Sequence, residues 1–70
     1  MWSKGEISGY KYEVKHYSEG SQYGIEEGKI SKLSIRKNGE WVYNYDRGLD
    51  FDNLDEAGKA VYTQILAQYN

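Results

Sequence analysis

The dipeptide Asn38-Gly39 constrains this chain more than any other pair of neighbours in it. It separates two runs, Ile30 to Lys37 and Glu40 to Arg47, in which apolar and polar residues alternate. A two-residue hairpin turn of type I′ needs positive φ at both central positions, which asparagine and glycine tolerate best. The turn then sets a register in which Lys37 faces Glu40, Arg36 faces Trp41, Ile35 faces Val42 and Ser34 faces Tyr43, continuing back to Ile30 facing Arg47. In that register one face carries Leu33, Ile35 and Val42. The other carries Trp41, Tyr43 and Tyr45 across from Arg36, Ser34 and Lys32.

Upstream, Tyr10, Tyr12, Val14 and His16 alternate with Lys11, Glu13, Lys15 and Tyr17, a period of two that predicts a half-buried strand from about Lys4 to Tyr17. Ile7 falls on the opposite parity, and a bulge at Ser8-Gly9 is expected to return it to the common face. A loop follows, Ser18 to Gly28, with Gly20, Gly24 and Gly28 spaced by four. Downstream, Asn53 with Glu56 three residues on reads as a capping box, so a helix is expected from near Asn53 to about Gln68. Leu54, Ala57, Gly58, Val61, Ile65 and Tyr69 form its apolar stripe, with Tyr62 and Leu66 on the shoulder. Gly58 costs such a helix about 1 kcal/mol relative to alanine unless close contact with the sheet requires it.

These elements predict an α+β fold: a three-stranded antiparallel sheet in chain order with one C-terminal helix packed on one face. Helix and sheet each have one apolar side and must bury it against the other. The Leu33–Ile35–Val42 face is the expected seat of the helix, because burying Lys32, Arg36 and Arg47 on the aromatic face is costly. Packing on the Trp41–Tyr43–Tyr45 face is the alternative. The chain has 70 residues, room for a single domain, residues 1–70. A domain this small buries only about 60 per cent of its unfolded surface. With no cysteine to staple it, its core supplies at most about 3–5 kcal/mol. Aliphatic residues are few and aromatics make up 16 per cent, so the aromatics must carry part of the core.

Composition also removes function classes. Without cysteine there is no thiolate nucleophile and no cysteine-ligated zinc. No apolar run approaches a membrane span and no basic-then-apolar leader pattern is visible, so a cytoplasmic protein is expected, with no membrane partner. The net charge of −2 argues against a dedicated duplex-DNA binder. Charge is uneven: residues 1–45 hold seven Lys/Arg against six Asp/Glu, and residues 46–70 hold two against five.

The remaining chemistry-bearing residues have plainer readings. His16 is the one histidine and shows no nucleophile or orienting acid in sequence, so it reads as structural or exposed. Asp46, Asp50, Asp52, Asp55 and Glu56 cluster, but Leu54 breaks the ligand order of a calcium loop, and helix capping accounts for them better. The Gly20–Gly24–Gly28 loop leads into a strand, lacks the Lys-Ser/Thr ending of a phosphate-binding loop, and carries Glu26 and Glu27. Asp46-Arg47-Gly48 reads as the turn closing the third strand, with Arg47 over an aromatic ring or paired with an acid such as Asp50. No enzyme, cofactor or metal is expected.

Trp2, Gly5-Glu6-Ile7, Gly9-Tyr10, Glu19-Gly20-Ser21 and Tyr23-Gly24-Ile25, then Gly28 to Leu33 and Asn44 to Gly48, make a pattern of their own. In these residues the chain resembles a family of short uncharacterised proteins of phages and prophages of Gram-positive bacteria. The match covers roughly residues 2–50, and Leu49 stands where the pattern has Trp. The resemblance implies a phage-linked cytoplasmic protein and brings no catalytic residue with it.

One surface carries a functional expectation. Trp41, Tyr43 and Tyr45, with Arg36 and Lys32 across from them, combine the residue types that dominate protein-interface anchors. They also match the aromatic and basic interleaving by which sheets stack single-stranded bases. Cross-strand packing that merely covers the sheet is the plain alternative. The acidic balance favours a protein partner, an unknown host or phage protein, over nucleic acid. The open sheet edges allow a monomer or a weak homodimer.

Overall fold

A computed structural model describes all residues, Met1–Asn70. The strands are β1 (Trp2–Ile7), β2 (Tyr10–His16), β3 (Ile30–Lys37), β4 (Glu40–Asp46) and β5 (Leu49–Asp52), and the helix is α1 (Glu56–Tyr69). The strands form one antiparallel sheet in the order β1-β2-β3-β4-β5. The architecture is α+β with a C-terminal helix, but the sheet has five strands and not the three expected from sequence.

Two features account for the difference. Ser8 and Gly9 have φ of 51° and 82°, the same left-handed pair as Asn38 and Gly39 at 54° and 79°. The expected bulge is therefore a second two-residue hairpin turn, which splits the expected first strand in two. Ile7 stands opposite Tyr10, on its proper face, because it belongs to another strand. The fifth strand, Leu49–Asp52, is four residues long and exposed throughout, too short for its alternation to stand out from its turn.

The central hairpin holds the expected turn and its first two pairs, Lys37 with Glu40 and Arg36 with Trp41. The next pair is Ile35 with Tyr43, so Val42 is an extra residue, a β-bulge. Beyond it every β4 side chain changes face relative to the expected register, placing Tyr43 and Tyr45 beside Ile35 and Leu33. A second shift, at Ser31, lets Ile30 join the same side although its parity differs from that of Leu33 and Ile35.

The core consists of Tyr10, Tyr12, Val14, Ile25, Ile30, Leu33, Ile35, Tyr43, Val61 and Ile65. Three of the ten are tyrosines, so the aromatics do supply part of a core that aliphatics alone would leave thin. The helix covers the face carrying Leu33 and Ile35 and buries Gly58, Val61 and Ile65. Asp55, not Asn53, is its N-cap: the Asp55 carboxylate accepts the Gly58 N–H at 2.7 Å and the Tyr10 hydroxyl at 2.6 Å. A Cβ on Gly58 would lie 3.0 Å from both the Asp55 carboxylate and the Leu54 side chain and 3.4 Å from the Tyr10 ring, so the crowded cap, more than the approach to the sheet, accounts for this glycine. At the other end the Asn70 side chain accepts from the Ile30 N–H and donates to the Ile25 carbonyl. This fastens the long β2–β3 loop under the last turn of the helix. No helix is long and apolar enough to cross a membrane.

Candidate functional site

The sheet face away from the helix is built from three cross-strand rows. Trp2, Lys15, Lys32 and Asp46 form the first, and Lys4, Glu13, Ser34, Asn44 and Phe51 the second. Glu6, Lys11, Arg36 and Trp41 form the third. Trp2 is 58%, Trp41 52% and Phe51 46% exposed, an unusual outlay of aromatic surface for a chain short of core residues. Trp2 and Trp41 stand at opposite ends of a shallow depression of about 140 Å³ that runs over Ser34, with Glu13, Asn44, Lys32 and Asp46 along it.

Charges of both signs surround these rings. Lys32 lies 3.6 Å from Asp46, and the Lys15 ammonium sits 5.9 Å from the Trp2 ring and 5.7 Å from that of Tyr17. The same ammonium holds the Tyr17 hydroxyl below its ordinary range. Such pairs lie at the solvent-facing surface, so they orient side chains more than they stabilise the fold.

Of the five residues expected at the site, the structure brings Trp41, Arg36 and Lys32 to the open face and removes two. Tyr43 is 4% exposed in the core, its ring 5.1 Å from that of Tyr62, and burial pushes its hydroxyl far above its ordinary range. Tyr45 lies on the helix side, half-buried, with its hydroxyl donating to the Tyr23 carbonyl at 2.9 Å. The Val42 bulge is the cause of both moves. Sequence reasoning missed Trp2 and Phe51 as members of the surface. The signal for Trp2 was Ser8-Gly9 read as a turn, which puts Trp2 in phase with Lys4 and Glu6. Phe51 had only the brief alternation Leu49-Asp50-Phe51-Asp52.

The other candidate chemistries resolve into structure. Ser3 Oγ lies 2.9 Å from His16 Nε2, and the His16 ring packs 4.9 Å from that of Tyr69. No acid lies within 4 Å of the imidazole to orient it, as a catalytic pair requires. Asp50 accepts from Asn44, Asp52 from the Leu54 N–H, and Asp55 caps the helix. No three His, Asp or Glu side chains are grouped to hold a metal ion. In the glycine loop the N–H groups of Ser21, Gly24, Glu27 and Gly28 all donate to carbonyls within the loop, so none of the four is left for a phosphate. Arg47 has φ of 56° in the turn after β4 and lies 3.7 Å from Asp46, not Asp50.

Fold and surface define a small α+β domain: a five-stranded meander with a helix on one side and an aromatic, mixed-charge face on the other. The chain belongs to the family described as domain of unknown function DUF7678, whose model matches residues 1–70. No curated protein and no solved structure matches it.

Proposed function

We propose that this chain is a non-enzymatic, phage-related cytoplasmic module that binds a protein partner of host or phage origin through the face the helix leaves open. The observation that carries the reading is the exposure of Trp2, Trp41 and Phe51 on one side of one sheet. Tryptophan and arginine dominate the energetics of protein interfaces, because a large ring buries much area and a planar guanidinium offers several pre-oriented donors. Lys4, Lys11, Lys15, Lys32 and Arg36 are interleaved there with Glu6, Glu13 and Asp46. A mosaic of both signs complements a protein surface better than a uniformly negative backbone. The phage association rests on the sequence resemblance.

The test is a tagged pulldown from host lysate, with and without nuclease, followed by affinity measurement on the recovered partner. A stoichiometric protein that survives nuclease supports the reading, and Trp41→Ala then weakens binding by at least about 2 kcal/mol. Unchanged affinity in a folded Trp41→Ala variant removes that residue from the site. A second reading, weak binding of single-stranded nucleic acid, is favoured by Lys15 beside Trp2 and Arg36 opposite Trp41. It requires steep salt dependence and quenching of tryptophan fluorescence by short oligonucleotides.

A further inference from the structure

A second concavity, of about 370 Å³, lies on the helix side of the sheet, in the size range of small-molecule sites. Four segments converge on it: the 3₁₀ turn at Ile25–Glu27, β4, β5 and the start of the helix. Three tyrosines shape its interior. Tyr43 lies at its base and Tyr62 beside it, their ring centroids 5.1 Å apart and their planes inclined by 53°. Tyr45, tied through its hydroxyl to the Tyr23 carbonyl, forms another wall. Leu49 also lines it and remains 60% exposed, an apolar side chain with nothing over it.

The charged groups of the lining are two acids and one base. Glu26 and Asp52 both line the concavity, and neither has a cationic side chain within 4 Å. Lys59, the one basic residue there, is drawn 3.8 Å from Glu56 along the helix. Burial raises the Tyr62 hydroxyl above its ordinary range; the neighbouring Tyr43 hydroxyl acts against this, and the charges of Glu26 and Asp52 add to it.

We propose that this concavity binds a small organic cation of the substituted-ammonium class, seated against the partly exposed rings of Tyr45 and Tyr62 and balanced by Glu26 and Asp52. An aromatic wall attracts positive charge through the ring quadrupole. Two carboxylates without a salt-bridge partner add to that attraction and repel anions. A substituted ammonium loses less hydration than a bare one on entering a site lined by Leu49 and Ile25, which is why the occupant carries alkyl groups. The site is separate from the open face and independent of its reading.

The test is a titration of the intact ¹⁵N-labelled chain with choline chloride at low salt, alongside its neutral isostere 3,3-dimethyl-1-butanol, followed by amide shifts. Choline is expected to saturate in the millimolar range and to move the amides of Glu26, Tyr43, Asp52 and Tyr62. The neutral isostere binds at least about fivefold more weakly, and Glu26→Gln and Asp52→Asn each cost choline about threefold. Both substitutions are at exposed positions, so an unchanged reference spectrum confirms the fold. No saturable shift up to about 100 mM choline overturns the proposal. So does equal binding of the neutral isostere, or a response confined to residues around Trp2 and Trp41.

Discussion

Ile35 stands opposite Tyr43, not opposite Val42. That single displacement decides which aromatics hold the molecule together and which face outward. With Val42 bulged, two tyrosines turn to the helix side of the sheet, Tyr43 fully buried and Tyr45 partly, and a tyrosine ring offers far more apolar area to bury than a valine. The lost regularity of one ladder position is the smaller effect.

Substitution of the two neighbouring aromatics therefore separates sharply. Tyr43→Ala removes a fully packed ring, a change that costs about 3–5 kcal/mol in other cores. That is comparable with the whole stability of a domain this size, so the variant is expected to lose its cooperative thermal transition. Trp41→Ala, at an exposed position, is expected to stay within about 1 kcal/mol of wild type. Equal effects on denaturant midpoints would return both residues to one face and refute the bulge.

Acid stability follows from Asp55. The Tyr10 hydroxyl and the Gly58 N–H hold its carboxyl below the ordinary carboxylate range. A pKa depressed on folding gives stability that is present above the unfolded value near 3.9 and lost as pH falls through the folded one. Asp55→Asn keeps a competent cap but has no proton to gain. Its melting temperature is expected to fall less steeply than that of wild type below about pH 4. Parallel curves for the two proteins would dissociate the cap from acid unfolding.

The alkaline side has the opposite sign. The hydrogen bond shared with Tyr69, with burial second, pushes the Tyr12 hydroxyl up to about 12. A raised folded pKa gives stability that is complete below the unfolded value near 10 and lost as pH rises through the folded one. Between those values Tyr12→Phe is expected to lose stability more gradually than wild type, followed by circular dichroism at each pH. The dependence is reduced and not abolished, because the Tyr10 and Tyr43 hydroxyls are also raised. An unchanged slope would mean that Tyr12 titrates as freely in the folded chain as in the unfolded one.

Turn chemistry gives a paired test at two glycines with nothing near the added Cβ. Gly39 has φ of 79°, so Gly39→Ala pays only backbone strain, about 1 kcal/mol. Gly48 has no positive φ, and Gly48→Ala is expected to be neutral or slightly stabilising, because alanine narrows the unfolded ensemble. Urea midpoints of the two variants, compared with wild type, check both signs.

Legibility in the sequence tracked how local each determinant is. The Asn38-Gly39 turn, the helix with Val61 and Ile65 inward, and Leu33 with Ile35 beneath it were readable, since each rests on a few residues close in sequence. Arg36, Lys32 and Trp41 were placed on the open face correctly because they lie at or before the bulge or on the unbulged strand. Tyr43 and Tyr45 lie past it and were not. Trp2 and Phe51 needed two strands whose existence depended on recognising turns at Ser8-Gly9 and around Arg47-Gly48.

What the sequence alone determined is the class of fold, its central turn, its aromatic-rich core and the absence of cysteine chemistry. A period-two pattern, however, reads the same whether or not one residue is looped out, so it could not choose which side of β4 faces the helix. Only the tertiary structure decided that, because Tyr62, Leu33 and Ile35 together offer the buried surface that Tyr43 fills, and these come from two elements, α1 and β3, other than its own. The same assembly set Trp2 and Trp41 on one face and formed the tyrosine-lined concavity on the other, since no strand of this sheet contains either site by itself.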